Sequence, residues 1–306
     1  MIMFRVVLNR RKFPAILSHM KYLSWIGLVA GVLGFGGVGF AENSVTNRPF
    51  PGVAIYSATR TNPPQRLFVA EIDLTNPQVH LHVSRGGDDP DGPGPWETTL
   101  MRPTKIAARE KYDLVVNGDF FNARGVKDAE GTNSAYRADI WSSVIGPAVS
   151  RGKAWSTTTN ARPCLVVSKT GKVTIRPVRQ PKSDDWEIIS GNVMLVRDGK
   201  PVPHDSKARH PRTVAGLNAD ATRLILMVVD GRNPGVAVGM SYDELAAELI
   251  RLGCHQALNL DGGGSSVLAV RDPVQNEFKI LNEPTDGCER AVANVLGISV
   301  DTPAAR

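Results

Sequence analysis

The stretch from Thr213 to Val270 constrains the fold more than any other part of this chain. Two apolar runs, "TVAGLN" and "RLILMVVD", flank a short polar turn, the pattern of a hairpin whose strands are covered on both faces. The loop "GRNPGVAVGM" leads to Ser241, with Glu244 three residues on. That is a capping box, in which each side chain satisfies a backbone N–H of the other, and it opens the helix "YDELAAELIRL". Leu245, Leu249 and Leu252 recur at helical spacing on one face, and Gly253 supplies the stop. "QALNLD" then reads as a strand. Strand, crossover helix and strand in this order predict a βαβ unit with parallel strands, whose C-terminal ends emerge at one sheet edge. Asp230 and Asp261 stand at those ends, on the rim where such sheets hold ligands.

Elsewhere the chain is read as mostly strands. "GVAIYSA", "RLFVAEIDL" and "QVHLHVS" alternate with period two, and His80 and His82 share a face of the third, best read as sheet-packed imidazoles. "RGGDDPDGPGPWE" is a loop crowded with Gly and Pro, and its carboxylates lack the spacing of a calcium loop. A helix is expected after Pro103, then the short strand "DLVVNG" leading to Asp119; the segment 124–161 reads as surface loops with short elements. "RPCLVVS", "KVTIRPV", "WEIISG" and "VMLVRDG" add strands. The expected fold class is α+β: a mixed β-sheet with flanking helices and one βαβ unit near the C-terminus.

The N-terminus is set apart by composition. Arg5, Arg10, Arg11, Lys12 and Lys21 precede an apolar run from Tyr22 that ends in small residues at Gly39 and Ala41, the pattern of a signal peptide over residues 1–41. Residues 42–306 are then the working domain, exported to the periplasm or secreted, without stable membrane insertion if the leader is cleaved; the run from Tyr22 to Ala41 is nearly long enough to serve instead as an uncleaved anchor. The leader carries five basic and no acidic residues, so its loss turns the formal +6 into 31 basic against 30 acidic residues. A near-neutral domain with no basic stripe excludes a nucleic-acid partner. Of the three cysteines, Cys254 and Cys288 are the candidate disulfide pair for an oxidising compartment, and Cys164 reads as a small buried residue. No CxxC pair points to a thiolate zinc site.

The polar residues at strand ends form one chemical set: Asn117, Asp119, Asn122, His210, Arg212, Asp230, Arg232, Asp261, Ser265, Ser266, Asn282, Arg290 and Asn294. Carboxylates beside a sugar serve as nucleophile, base or acid, or stabilise charge at an anomeric carbon. Arginines grip a phosphate with paired hydrogen bonds, and Gly262, Gly263 and Gly264 expose backbone N–H groups to an anionic oxygen. A site holding both kinds suits a substrate with a sugar and a phosphate. A nucleotide-binding loop is a poor fit, since no lysine follows the glycines.

In order, "NGDFF", "SGNVMLVRDGK", "HPRTVAG", "LMVVDGR", "MSYDELAAELIRLGCHQALNLDGGGSS" and "ERAVANVLGI" resemble the phosphodiester glycosidase family across most of Leu114 to Val300. The resemblance implies hydrolysis of the bond between a sugar's anomeric carbon and a phosphodiester. Its motifs fall here on Asn117, Gly118, Phe121, Gly191, Arg212, Thr213, Asp230, Gly231, Arg232, Asp261, Gly262, Gly263, Ser265, Arg290 and Asn294. Asp119 stands where the family varies. Asp261 and Asp230 are the expected catalytic carboxylates. Asn117, Asp119, Arg212, Thr213, Arg232, the three glycines, Ser265, Arg290 and Asn294 are the expected substrate-binding set. No cofactor or catalytic metal is expected, though a structural calcium held by carboxylates is compatible with the pattern. Two other readings use the same residues: a metal-dependent phosphodiesterase with Asp119, His210, Asp230 and Asp261 as ligands, and a non-catalytic module that binds anionic glycans of the envelope.

Overall fold

The computed structural model describes residues 46–125 and 136–301, so the expected leader lies outside the described residues. Among them only two α-helices occur, α1 (Pro103–Glu110) and α2 (Tyr242–Arg251), and every pairing between strands is antiparallel. An eight-stranded sheet runs Thr46–Phe50, Val53–Thr61, Pro64–Asp73, Arg223–Val229, Arg212–Leu217, Gln256–Asn259, Val193–Arg197, Lys200–Pro201. One five-stranded sheet runs Phe278–Ile280, Leu268–Arg271, Leu114–Asn117, Asn294–Val300, Val79–Arg85. A second is built from Lys153–Ser156, Ala148–Ser150, Asp185–Ser190, Arg162–Ser168 and Val173–Val178. A three-stranded sheet joins Thr98–Thr99, Trp141–Val144 and Phe121–Ala123.

This corrects the expected α+β class. The fold is predominantly β, and the mixed sheet with a βαβ unit does not form. The Arg223–Val229 strand already has a neighbour on each side, Pro64–Asp73 and its own hairpin partner Arg212–Leu217. Both of its hydrogen-bonding edges are therefore filled before the chain returns from α2. The Gln256–Asn259 strand instead pairs with the far side of Arg212–Leu217, where Val214 faces Met227 on one side and Asn259 on the other. Two strands that are each antiparallel to a third run in the same sense. Val229 and Asn259 thus end at the same edge without being hydrogen-bonded to each other.

The capping box is formed: Ser241 Oγ accepts the Glu244 N–H and the Glu244 carboxylate accepts the Ser241 N–H. Leu245, Leu249 and Leu252 bury α2 against one face of the eight-stranded sheet, with Val214, Ile225, Met227 and Val229. The alternate residues Ala215, Leu224, Leu226 and Val228 face the main core, where they meet Leu114, Val116, Leu165, Ile189, Leu268 and Leu296 of the two five-stranded sheets. Burial on both faces is why the 224–229 run reads as apolar throughout. The helix α1 covers the outer side of the Leu114 sheet through Ile106 and Ala107, next to Val115, Ala269 and Val295. Cys164, Cys254 and Cys288 are all free, and Cys254 is buried whereas Cys288 is exposed, so the candidate pair is not bonded.

Candidate functional site

Asp261 follows the Gln256–Asn259 strand, where the backbone leaves the sheet and turns through the three glycines. A cavity of about 220 Å³ opens there, lined by Phe120, His210, Pro211, Arg212, Arg232, Asp261, Gly262, Gly263, Gly264 and Arg290. The three expected arginines, the glycine run and one of the two expected carboxylates are brought to a single hollow. A larger cavity, about 960 Å³ and bordered by Arg85, Arg109, Glu110 and Trp155, shares no lining residue with it. Size alone would favour the larger space, but the convergence of charge and bare backbone identifies the smaller one as the candidate site.

Asp261 is held from several sides. Its N–H donates to Gly118 O at 3.0 Å, its carbonyl accepts Asn117 Nδ2 at 2.7 Å, and its Oδ1 accepts the Gly262 N–H at 2.8 Å. Burial pushes the Asp261 carboxyl up to about 6, against the opposing influence of Ser265, the Gly262 N–H and the charges of Arg290 and Arg232. Ser265 Oγ is buried with no partner in hydrogen-bonding geometry, so its influence on Asp261 is exerted from just outside that geometry.

The guanidinium groups are held in different ways. Arg212 is 7 % exposed; its Nε donates to Met240 O and its Nη2 to Ala208 O, and its Cζ lies 4.3 Å from the centre of the Tyr242 ring. Arg290 is paired with Asp286, at 2.8 Å through Nε and 2.7 Å through Nη2, and lies 4.3 Å over the Tyr136 ring. Arg232 is exposed, adopts φ +59° and makes no hydrogen bond or ion pair among the described residues. Its guanidinium lies over Gly263, which has φ +61°, a conformation that favours glycine. At Gly264 the close approach comes from Arg290: an added Cβ would lie 2.5 Å from Cζ and 2.6 Å from Asp286 Oδ1. The glycines make room for arginines as much as for a ligand. Two of their donors are in use, since the Gly262 N–H binds Asp261 and the Gly263 N–H binds Pro211 O at 2.9 Å.

The other sequence-selected residues fall behind or beside this hollow. The Asn117 Oδ1 accepts Thr213 Oγ1 at 2.7 Å and the Val267 N–H at 3.1 Å, so Asn117 and Thr213 brace the Asp261 backbone. Asp119 is enclosed: Asn294 Nδ2 donates to it at 2.6 Å, the Ser190 N–H at 3.0 Å and the Ser190 hydroxyl as well. Asn294 in turn accepts the Asp119 N–H. Burial pushes the Asp119 carboxyl up to about 7, and the charge of Asp261 adds to the rise. Asp230 lies on the other side of Arg232, in a separate cavity of about 280 Å³ with Asn233, Glu283 and Thr285. It is 4 % exposed; Oδ1 accepts the Glu283 N–H at 3.0 Å and Asn282 Nδ2 at 3.3 Å, and Oδ2 stands 3.7 Å from Arg66 Nε. Burial raises its pKa, opposed by those donors and Arg66. His210 and Asp261 share the hollow while Asp230 stands in its own cavity, and no group of three or more His, Cys, Asp or Glu placed to hold a metal ion occurs among the described residues. His210 borders the hollow, and burial with the nearby Arg212 and Arg232 lowers its pKa.

Sequence reasoning did not select Phe120, Tyr136, Tyr242 or Asp286. The four-residue spacing of Asp286 and Arg290 was a usable signal; the aromatic partners carried none.

Residues 110–299 match the family described as phosphodiester glycosidase. A stretch of 113 residues is 38% identical to the SPbeta prophage-derived uncharacterized protein YomE of Bacillus subtilis (strain 168), covering 35% of this chain and 16% of that protein, so the chain spans a small part of that relative. Among solved structures, the catalytic domain of zebrafish N-acetylglucosamine-1-phosphodiester alpha-N-acetylglucosaminidase, auto-inhibited by its pro-peptide, superposes with TM-score 0.59 at 18% identity over 85% of both chains. A hypothetical protein from Synechocystis gives TM-score 0.55 at 15% identity, over 85% of this chain and 64% of that one. A putative exported protein from Burkholderia pseudomallei K96243 gives 0.54 at 18%, over 77% and 74%. These likenesses concern the fold alone. The family match, which covers most of the described domain, places the chain in the phosphodiester glycosidase family.

Proposed function

We propose that this protein hydrolyses a glycosyl phosphodiester at the bond between the anomeric carbon and the phosphate oxygen. The observation that carries the reading is the single hollow shared by Asp261, the triglycine turn, Arg212, Arg232 and Arg290. The three guanidinium groups supply positive charge where a phosphate would sit, and the burial of Arg212 strengthens its effect on charge that develops during bond breaking. The C–O bond breaks, its electron pair leaves with the phosphate, and a water oxygen ends on the anomeric carbon. Phosphate is a good leaving group, so a strong general acid is less needed than stabilisation of the departing charge.

Asp261 is the carboxylate for the sugar side. It is ionised at neutral pH, and in that form it attacks the anomeric carbon or takes the proton of the attacking water. Asp230 is the less favoured candidate, because Arg232 separates it from the hollow and its neighbours hold it. Asn117 and Thr213 keep Asp261 in place. The leader pattern of residues 1–41 supports an exported, periplasmic or secreted enzyme; mass spectrometry of the exported form should find a mature N-terminus near Glu42.

The deciding experiment is hydrolysis in ¹⁸O-labelled water. Label in the released sugar supports the glycosidase; label only in the phosphate shows P–O cleavage and ends this reading. Loss of activity on chelation, restored by zinc or manganese, would favour the metal-dependent phosphodiesterase, whereas restoration by calcium alone would assign a structural ion. Tight binding of a glycosyl phosphodiester without turnover would favour a glycan-binding module.

A further inference from the structure

We propose that the alcohol arm of the phosphodiester itself carries a second anionic group, held by Arg102 and Arg137; this rests on the glycosidase reading above. The hollow at Asp261 is small, and Arg290 forms part of its wall and part of the wall of a neighbouring cavity of about 570 Å³. Arg102, Tyr136, Arg137, Asp286 and Glu289 line that second space.

Its acids are already engaged. Asp286 is paired with Arg290, and Glu289 accepts the Thr104 N–H at 3.0 Å and the Thr104 hydroxyl. The guanidinium groups of Arg102 and Arg137 are exposed and make no hydrogen bond or ion pair among the described residues. Three arginines against two acids leave the space net positive, with the Glu289 carboxylate turned to Thr104. Two planar forks with free donors suit a phosphate or carboxylate far better than a neutral alcohol.

A third cavity, which shares Arg232 with the hollow, bears on the direction of the substrate. Beyond Arg232 the cavity at Asp230 and Glu283, with Asn233 and Thr285, presents carboxylates and small polar groups. Arg66 pairs with Glu283 at 2.8 Å and stands 3.7 Å from Asp230, so this side has no guanidinium to spare beyond Arg232, while its amide and hydroxyl suit a sugar's hydroxyls; the sugar belongs there and the anionic alcohol arm at Arg102 and Arg137. The substrate class is a phosphodiester joining a sugar to an alcohol that bears a further phosphate or carboxylate, as a phosphate-linked repeating glycan would.

The test uses two probes that require no knowledge of the sugar, methyl phosphate and propane-1,3-diol bisphosphate, titrated calorimetrically into the full chain at low salt. The bisphosphate should bind roughly tenfold more tightly, the scale expected when two partly exposed charge contacts are added within one ligand. The double variant R102Q/R137Q should lose that advantage, keep the methyl phosphate affinity, and melt at the wild-type temperature. A bisphosphate that binds no more tightly than methyl phosphate, or an advantage that survives the double substitution, overturns the second site. Failure of the wild type to bind methyl phosphate at all would instead overturn the phosphate-gripping hollow, and the glycosidase reading with it.

Discussion

Gly264→Ala is the smallest change that tests whether Arg290 works at a fixed position. The new Cβ would fall 2.5 Å from Arg290 Cζ, with Nη2 closer still, and 2.6 Å from Asp286 Oδ1. Carbon contacts settle at about 3.5 Å, so the guanidinium must retreat by about 1 Å and take its Asp286 partner with it. Both obstructing groups are ends of flexible side chains near the surface, and Gly264 does not have a positive φ. The fold should therefore tolerate the change to within about 1 kcal/mol. Catalysis should not, because a displacement of about 1 Å in a charge-stabilising group costs on the order of a hundredfold in rate. Steady-state kinetics on a glycosyl phosphodiester, with thermal melting alongside, separates the two effects. A Gly264→Ala enzyme within about threefold of wild-type kcat/KM would show that Arg290 does not touch the departing phosphate. Equal losses of activity and melting temperature would show that the glycine is structural.

Arg212→Lys should lower kcat/KM at least about tenfold, since an ammonium cannot reproduce the planar fork that lies over Tyr242 and donates to Met240 O; unchanged kinetics would remove Arg212 from the grip. With Asp261 raised to about 6 and active as the ionised form, kcat/KM should climb as pH rises through 6 and then level off. Asp261→Asn should lose at least about a hundredfold at pH 7, and an active variant would return the glycine turn to a structural role. Glu187 is fully enclosed, accepts the Val83 and Arg151 N–H groups, and is pushed by burial from 4.5 to about 7. The folded state keeps that proton to higher pH than the unfolded chain, so its stability contribution is full below about pH 4.5 and is lost as pH rises through 7. The loss is roughly 3 kcal/mol, and Glu187→Gln should shrink the fall in denaturant stability between pH 5 and 8; the same fall in both proteins would refute the assignment.

The legible parts of the fold were those whose causes are local. The Ser241 and Glu244 box, the leucine face of α2, the turn residues between strands and the Arg212–Leu217 hairpin each depend on residues close in sequence. Sheet order depends on competition among distant strands, and only the occupation of the Arg223–Val229 edge by Pro64–Asp73 shows that α2 must carry the chain past a neighbour. A strand buried on both faces looks the same to a periodicity argument whether its neighbours are parallel or antiparallel. Whether Cys254 and Cys288 pair was open in the sequence for a related reason: Cys254 packs beside Gly216 in the sheet, while Cys288 sits in an exposed loop.

The site shows where motif reasoning loses resolution. Asp230 and Asp261 carry the same sequence signature, an aspartate and a glycine after an apolar strand. They differ because Arg66, Asn282 and the Glu283 N–H surround one carboxylate, whereas the other shares its hollow with three arginines. Asn117 makes the same point in a single side chain. A substrate-binding amide must keep a donor or an acceptor directed at the ligand, but its Nδ2 donates to the Asp261 carbonyl and its Oδ1 accepts both Thr213 and Val267. Its chemistry is directed inward, at the residue that faces the cavity. A residue that touches the reacting bond and one that fixes such a residue are equally constrained by geometry, so both enter a family motif. Only the direction of their hydrogen bonds separates them, and that direction is a property of the folded chain.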